Sequence, residues 1–244
     1  GLKCHIILER RMPDTNDAYE ITGNVFLDRL HGATVEFREN GLDMNAEGED
    51  VSQKLSEFGS KTYFIPGGGS NTVGALGYVN CALELVSQFK AKSIRFDYLV
   101  HATGSTGTQA GLVSGLEGLN SELPVMGISV RQNREKQIDA VWKLVRETSE
   151  KLKTREVSRG RILVDDRYVG KGYAIPTDGT IEAITLLAQT EGILLDPVYS
   201  GKGMAGLIDM VKNGDFSQGE KILFLHTGGS AALFAYEQEL IEHS

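Results

Sequence analysis

Two hydrophobic periods trade places along this chain from one end to the other. Short apolar runs at 3–8, 33–37, 61–65, 95–101, 124–130 and 221–226 predict strands. Between them the apolar positions take helical spacing. Val51, Leu55 and Phe58 share one face, and Gly59 ends that helix. Thr72–Gln88 reads as a longer one. Ile138, Val141, Trp142 and Val145 keep the i, i+3, i+4, i+7 spacing behind Asn133, a suitable cap. Asp178 is set to cap a helix carrying Ile181, Ile184, Leu187 and Ala188. Strands alternating with helices through short connections predict a parallel sheet covered on both faces. The fold class is α/β.

The run Ile65-Pro-Gly-Gly-Gly-Ser70 marks a boundary. Residues 1–65 hold two β–α units, the remainder of a small α/β domain, and residues 66–244 form the larger body. The segment 151–172 is rich in charge and lacks periodicity, which predicts a connection over the surface. There is no internal repeat and no low-complexity tract.

Composition narrows the partners. With 244 residues and 41% hydrophobic content, the chain can fill one large core or two modest ones. A formal charge of −8 without a basic block argues against nucleic acid or an anionic membrane. No stretch reaches the roughly 18 apolar residues of a membrane span, and no signal-peptide pattern is present. Cys4 and Cys81 sit in apolar contexts and read as reduced core residues, consistent with a cytoplasmic location. The five histidines show no metal-ligand spacing, so no metal is expected. His101 and His226 read as hydrogen-bonded structural residues. The chain has no initiator Met and opens on Leu2-Lys-Cys-His-Ile-Ile-Leu8, a strand already under way, which suggests a fragment or processed product.

The chemistry gathers where strands meet helices. In Tyr98-Leu-Val-His-Ala-Thr-Gly-Ser-Thr-Gly-Thr-Gln-Ala-Gly-Leu112 a hydrophobic strand runs into small hydroxylated residues and glycines, then a helix. Gly104 and Gly107 let the backbone approach an anion. Ser105, Thr106 and Thr108 add hydroxyls, and the helix start adds free N–H groups and the positive dipole end. The loop lacks the lysine of a nucleotide P-loop and the spacing of a dinucleotide fingerprint, so another phosphorylated cofactor is expected. The triple glycine 67–69 is either a second anion site or a plain strand-to-helix turn. Asp196-Pro-Val-Tyr-Ser-Gly-Lys-Gly203 sets Tyr199 on a turn, a candidate for ring stacking. Lys202 reads as a solvated surface lysine, with contact to substrate or cofactor as the alternative. His226-Thr-Gly-Gly-Ser230 closes the last strand. Ligands of open parallel sheets bind at the carboxyl edge, so the loops 66–70, 102–108 and 226–230 are expected to meet there.

Taken in order, Ile65–Tyr78, Ala102–Leu112, Gly172-Tyr-Ala-Ile-Pro176, Asp196–Met204 and Leu225–Tyr236 resemble the pyridoxal-phosphate enzymes of the tryptophan-synthase-β-like fold, fold type II. The closer resemblance is to the group containing 1-aminocyclopropane-1-carboxylate (ACC) deaminase, D-cysteine desulfhydrase and L-cysteate sulfo-lyase. Within it, Gly23–Thr34, Gly41–Glu47 and His101–Ser105 are most similar to the L-cysteate sulfo-lyases. The resemblance implies parallel sheets in two domains and pyridoxal 5′-phosphate as cofactor. It implies that Ser105, Thr106, Gly107 and Thr108 bind the phosphate, that Tyr199 faces the pyridine ring and that Thr227 meets its nitrogen. Tyr173 and Tyr199 become the candidates for polar roles at the reacting carbons, and Arg131, at a strand end, the candidate for a sulfonate.

Where the deaminase has an acidic residue after its Asp-Pro-Val-Tyr motif, this chain has Ser200, which counts against that activity. The implied reaction is elimination of sulfite from L-cysteate, giving pyruvate and ammonia, with sulfide release from D-cysteine and ACC deamination as alternatives. A small β-substituted amino acid as substrate and a homodimer are also implied. The family's Gly-Gly-Asn-Lys motif, with the Schiff-base lysine, and its Gln-Ser-Asn-His loop do not occur in this chain. Neither Lys171 nor Lys202 stands where the family places that lysine. The expectation is therefore an N-terminally truncated, inert chain and an active intact protein. A non-catalytic phosphate-ligand binding domain is the reading from another class.

Overall fold

The computed structural model describes residues 1–11 and 17–242, which fall into two compact units: 1–67 with 231–242, and 68–230. In the first unit, strand β1 (His5–Arg10) is followed by the short helix α1 (Asp17–Ile21), α2 (Gly23–Leu30), strand β2 (Thr34–Glu39) and α3 (Met44–Glu57). The two strands pair in parallel from His5↔Thr34 to Arg10↔Glu39. Asp43 caps α3 by accepting the N–H groups of Asn45 and Ala46. Phe58 does not join the face of Val51 and Leu55; it stands past the helix end and is 88% exposed.

The segment 61–65 is not a strand. Its apolar alternation finds no partner strand, so Tyr63 and Ile65 stay exposed. Phe64 instead lies against α3 at Gly48, where any side chain would overlap its ring. The sequence boundary put everything after residue 65 in one body. Residues 231–242, ending in helix α9 (Glu237–Glu242), group instead with the first unit. There the Tyr236 ring meets Tyr19 edge-on at 6.3 Å.

The second unit holds α4 (Thr72–Lys92), β3 (Tyr98–Thr103), α5 (Gly107–Gly118), β4 (Val125–Ser129), α6 (Arg134–Leu152), β5 (Leu163–Asp165), α7 (Asp178–Glu191), α8 (Ser200–Lys212) and β6 (Ile222–Leu225). Its four strands are all parallel, in the order β5-β4-β3-β6. One face carries a core of Leu99, Leu112, Leu116, Val141 and Val145, drawn from β3, α5 and α6. The other carries Val100, Ile128 and Met210, with Leu207 and Phe216 against them. Helices on both faces of a parallel sheet are what the β/α alternation required.

Three sequence expectations change here. The segment 151–172 is not a plain connection, because it contributes β5, which pairs with β4 from Met126↔Leu163 to Ile128↔Asp165. Three residues are too few to show a period. The cap of α7 is Thr177, not Asp178: its side chain accepts from Thr180 in a reciprocal capping box, leaving Asp178 as the first helical residue. Both cysteines are free thiols; Cys4 is exposed rather than in the core, while Cys81 is half-buried and packs against the main core. Among the described residues no helix is long and apolar enough to cross a membrane.

Candidate functional site

The cradle starts with two helices that run side by side. Gly107 lies against Ser70, Gly111 against Ala75 and Gly115 against Ala82, so α4 and α5 rise together and are parallel. A side chain at Gly111 would overlap the Ala75 carbonyl. Both positive helix ends therefore open at the same place, just past the carboxyl end of β3. Asn71 caps α4 by accepting from Val73 and Gly74. Asn133 does the same for α6 through Lys136, and Thr177 for α7. At α5 the cap residue Thr106 makes no side-chain capping bond, and the first turn has no acidic residue. Among the described residues, the Gly107 N–H is the one of that turn taken up, by the Ser70 hydroxyl at 3.2 Å. Thr108 and Gln109 are left to present N–H groups from the first turn.

The triple-glycine segment belongs to the same hollow. Gly68, at φ +65°, lies over Ser105, and a Cβ there would stand 2.5 Å from the Ser105 Cβ. Gly69 is also left-handed, and its carbonyl leaves no room for a side chain at Gly74. Close backbone approach at Gly68 thus makes it a wall of the 105–108 loop.

A second wall comes from α8. Gly203 packs on Ala102, with a would-be Cβ 3.2 Å from the Ala102 nitrogen, which sets the first turn of α8 beside the end of β3. That turn is organised by Asp196, which is fully buried. Its carboxylate accepts the N–H groups of Val198 (2.9 Å), Tyr199 (2.8 Å) and Ser200 (2.8 Å), and the Ser200 hydroxyl (2.5 Å). Ser200 is thus turned inward to Asp196. Tyr199 is left on the rim, 38% exposed. Its hydroxyl is hydrogen-bonded to that of Tyr173, with ring centroids 5.8 Å apart. The Arg131 guanidinium, at the end of β4, lies 6.0 Å from the Tyr173 ring centre.

The last loop joins through Leu194 and Asp196. The Gly228 N–H donates to His226 Nδ1 at 3.0 Å, which makes Nε2 the donor to the Leu194 carbonyl at 2.9 Å. The Ser230 hydroxyl donates to the same carbonyl at 2.7 Å. Gly229 lies against the Asp196 carboxylate, 2.8 Å from a would-be Cβ. Thr227 sits exposed in this loop. Because β6 pairs with β3 up to His101↔Leu225, this loop and the cradle leave neighbouring strands at one sheet edge. His101 itself is buried beneath the cradle. Its Nδ1 bonds the Ala102 carbonyl, and burial lowers its pKa to about 4.

Lys202 is neither solvated nor turned toward a ligand. It is fully buried, and its Nζ donates to the carbonyls of Val169 and Gly172, both at 2.7 Å. Burial lowers its pKa to about 8. Sequence reasoning missed this role, and it missed Asp196 as the organiser of the tyrosine turn. The signal for the second was present: Asp before Pro, followed by amides two and three residues on, is an Asx-type turn. No cluster of metal-ligating side chains occurs among the described residues.

Fold and site together define an α/β protein whose parallel sheet carries, at its carboxyl edge, two helix starts, a glycine-walled hollow and a pair of tyrosines. Over residues 1–228 the chain matches the model of the pyridoxal-phosphate dependent enzymes, and it belongs to that family. It is similar to a solved ACC deaminase homologue at 31% identity and a TM-score of 0.85, over 99% of this chain and 79% of that one. An O-ureido-L-serine synthase (15%, 0.58, 99% and 77%) shares the fold. So does a hydrogen sulfide-producing enzyme from Fusobacterium nucleatum (17%, 0.54, 94% and 79%). The residues present suit the family's cofactor. The uncapped start of α5 offers N–H groups and hydroxyls to a phosphate, and glycines at 68 and 107 keep side chains out of the hollow.

Proposed function

We propose that this protein is a carbon–sulfur lyase that eliminates sulfite from L-cysteate, with water completing the products pyruvate and ammonia. Pyridoxal phosphate, when bound, draws electrons from the α-carbon of an amino acid. The residues of this chain hold that cofactor and set polar groups around the substrate. Ser105, Thr106, Gly107 and Thr108 hold the phosphate, Tyr199 faces the ring and Thr227 meets the pyridine nitrogen. A neutral hydroxyl there does not hold that nitrogen protonated, which suits a substituent that leaves readily, as sulfite does, better than a cyclopropane. Tyr173 and Tyr199, hydrogen-bonded through their hydroxyls, are the polar groups at the reacting carbons that can move a proton to or from the substrate. Arg131 donates to the sulfonate oxygens.

The observation that carries the reading is the Arg131–Tyr173–Tyr199 group: an exposed cation beside a hydrogen-bonded phenol pair on the rim of the cradle. The likeness to an ACC deaminase homologue supports the family chemistry. Ser200 in place of a carboxylate favours elimination over ring opening.

The test is a substrate panel on the full-length protein with pyridoxal phosphate: L-cysteate, D-cysteine and ACC, reading pyruvate, 2-oxobutanoate, sulfite and sulfide. Sulfite and pyruvate in equal amounts from L-cysteate, with KM raised in Arg131→Ala, is the expected result. Sulfide from D-cysteine, or 2-oxobutanoate from ACC, as the main product contradicts it. Tight cofactor binding without turnover of any substrate contradicts it in favour of a non-catalytic phosphate-ligand domain.

A further inference from the structure

We propose that Lys202 is a positioning residue: by tying down the carbonyls of Val169 and Gly172 it holds Tyr173 against Tyr199. This rests on the reading of the two tyrosines as the polar groups at the reacting carbons.

The placement of this lysine runs against the local rules of stability. It stands in the first turn of α8, where a positive charge opposes the helix dipole. It is fully buried, its Nζ meets the backbone carbonyls of Val169 and Gly172, and among the described residues no ion pair to it is seen. A buried ammonium facing only carbonyls costs stability that an apolar residue would not. Features of this kind mark sites where function overrides the fold's local preferences.

What the ammonium gains is control of one segment. Val169 and Gly172 bracket Gly170, at φ +67°, and just beyond them comes Ala174, fully buried at φ +61°. A left-handed non-glycine backbone persists only where its surroundings hold it. Tyr173 lies between Gly172, whose carbonyl Lys202 grips, and that strained alanine. Tyr199 lies one helical turn before Lys202. A single side chain therefore links the two backbones whose phenols meet.

The test uses the full-length protein labelled with 3-fluorotyrosine, with the Tyr173 resonance assigned by its loss in Tyr173→Phe. In the parent protein, Tyr199→Phe is expected to shift the Tyr173 signal, because the hydroxyl contact is removed. In Lys202→Met that shift should collapse to less than half, and hydrogen exchange at residues 170–174 should speed up. Lys202→Gln keeps one donor and serves if the Met variant does not fold; an intermediate shift is then expected. An undiminished Tyr199→Phe shift in either variant overturns the proposal, leaving Lys202 as a packing residue.

Turnover gives a second reading. Lys202→Met should lower kcat by about 10²-fold with little change in KM, the size of effect a 1 Å misplacement produces. It should also be non-additive with Tyr173→Phe. Unchanged kcat per folded molecule refutes the role. The resonance readout needs no substrate, so failure of the lyase reading and failure of this inference are told apart.

Discussion

Acidification should weaken the second unit through one buried histidine. His101 is fully buried in β3, with Nδ1 on the Ala102 carbonyl and no partner for Nε2 among the described residues. Burial lowers its pKa from 6.5 to about 4. The native state therefore keeps the ring neutral, while the unfolded chain takes up its proton near pH 6.5. Stability from this group is complete above pH 6.5 and is lost progressively as pH falls toward 4. A shift of about 2.5 units at about 1.4 kcal/mol per unit sets the full loss at about 3 kcal/mol, of which about 2 kcal/mol is gone by pH 5. Urea unfolding, followed by the fluorescence of Trp142, which packs against the same core, measures this unit directly. The curve for the parent protein should fall more steeply between pH 7 and 4 than that for His101→Leu, by about that amount. Parallel curves for the two proteins would refute the argument.

Other perturbations follow from single contacts. Asp196→Ala removes the acceptor of three backbone N–H groups at the start of α8, and should cost about 4 kcal/mol from the lost cap and the stranded donors, read by thermal unfolding. Gly74→Ala forces a methyl group onto the Gly69 carbonyl and should destabilise by about 1–3 kcal/mol, while Gly77→Ala, with open space around it, should be neutral or slightly stabilising. Borohydride reduction of the cofactor-loaded protein, read by mass spectrometry, should leave Lys202 unmodified; a pyridoxyl group on that residue would contradict its commitment to the Val169 and Gly172 carbonyls.

The parts of this molecule legible in the sequence are those coded locally. The strands β3 and β4 announce themselves as apolar runs, and Asn133 caps its helix as its position suggested. What escaped depends on partners distant in the chain. The run 61–65 has strand composition but no strand beside it. The strand β5 is short and gains its identity only by pairing with β4. Lys202 looks like any surface lysine until Val169 and Gly172, thirty residues away and more, close over it. Asp196 lies between these cases, since its turn is local but its burial is not.

The central claim is that the start of α5 holds the cofactor's phosphate. Binding of pyridoxal phosphate and of dephosphorylated pyridoxal to the parent protein and to Gly107→Asp, followed by absorbance and equilibrium dialysis, tests it most directly. The parent should bind the phosphorylated form far more tightly. A carboxylate in the first turn of α5 should abolish most of that preference, by about 10–100-fold for one or two lost charge-assisted hydrogen bonds, and leave pyridoxal binding nearly unchanged. An unaltered preference for the phosphorylated form in Gly107→Asp would place the phosphate elsewhere and contradict the account.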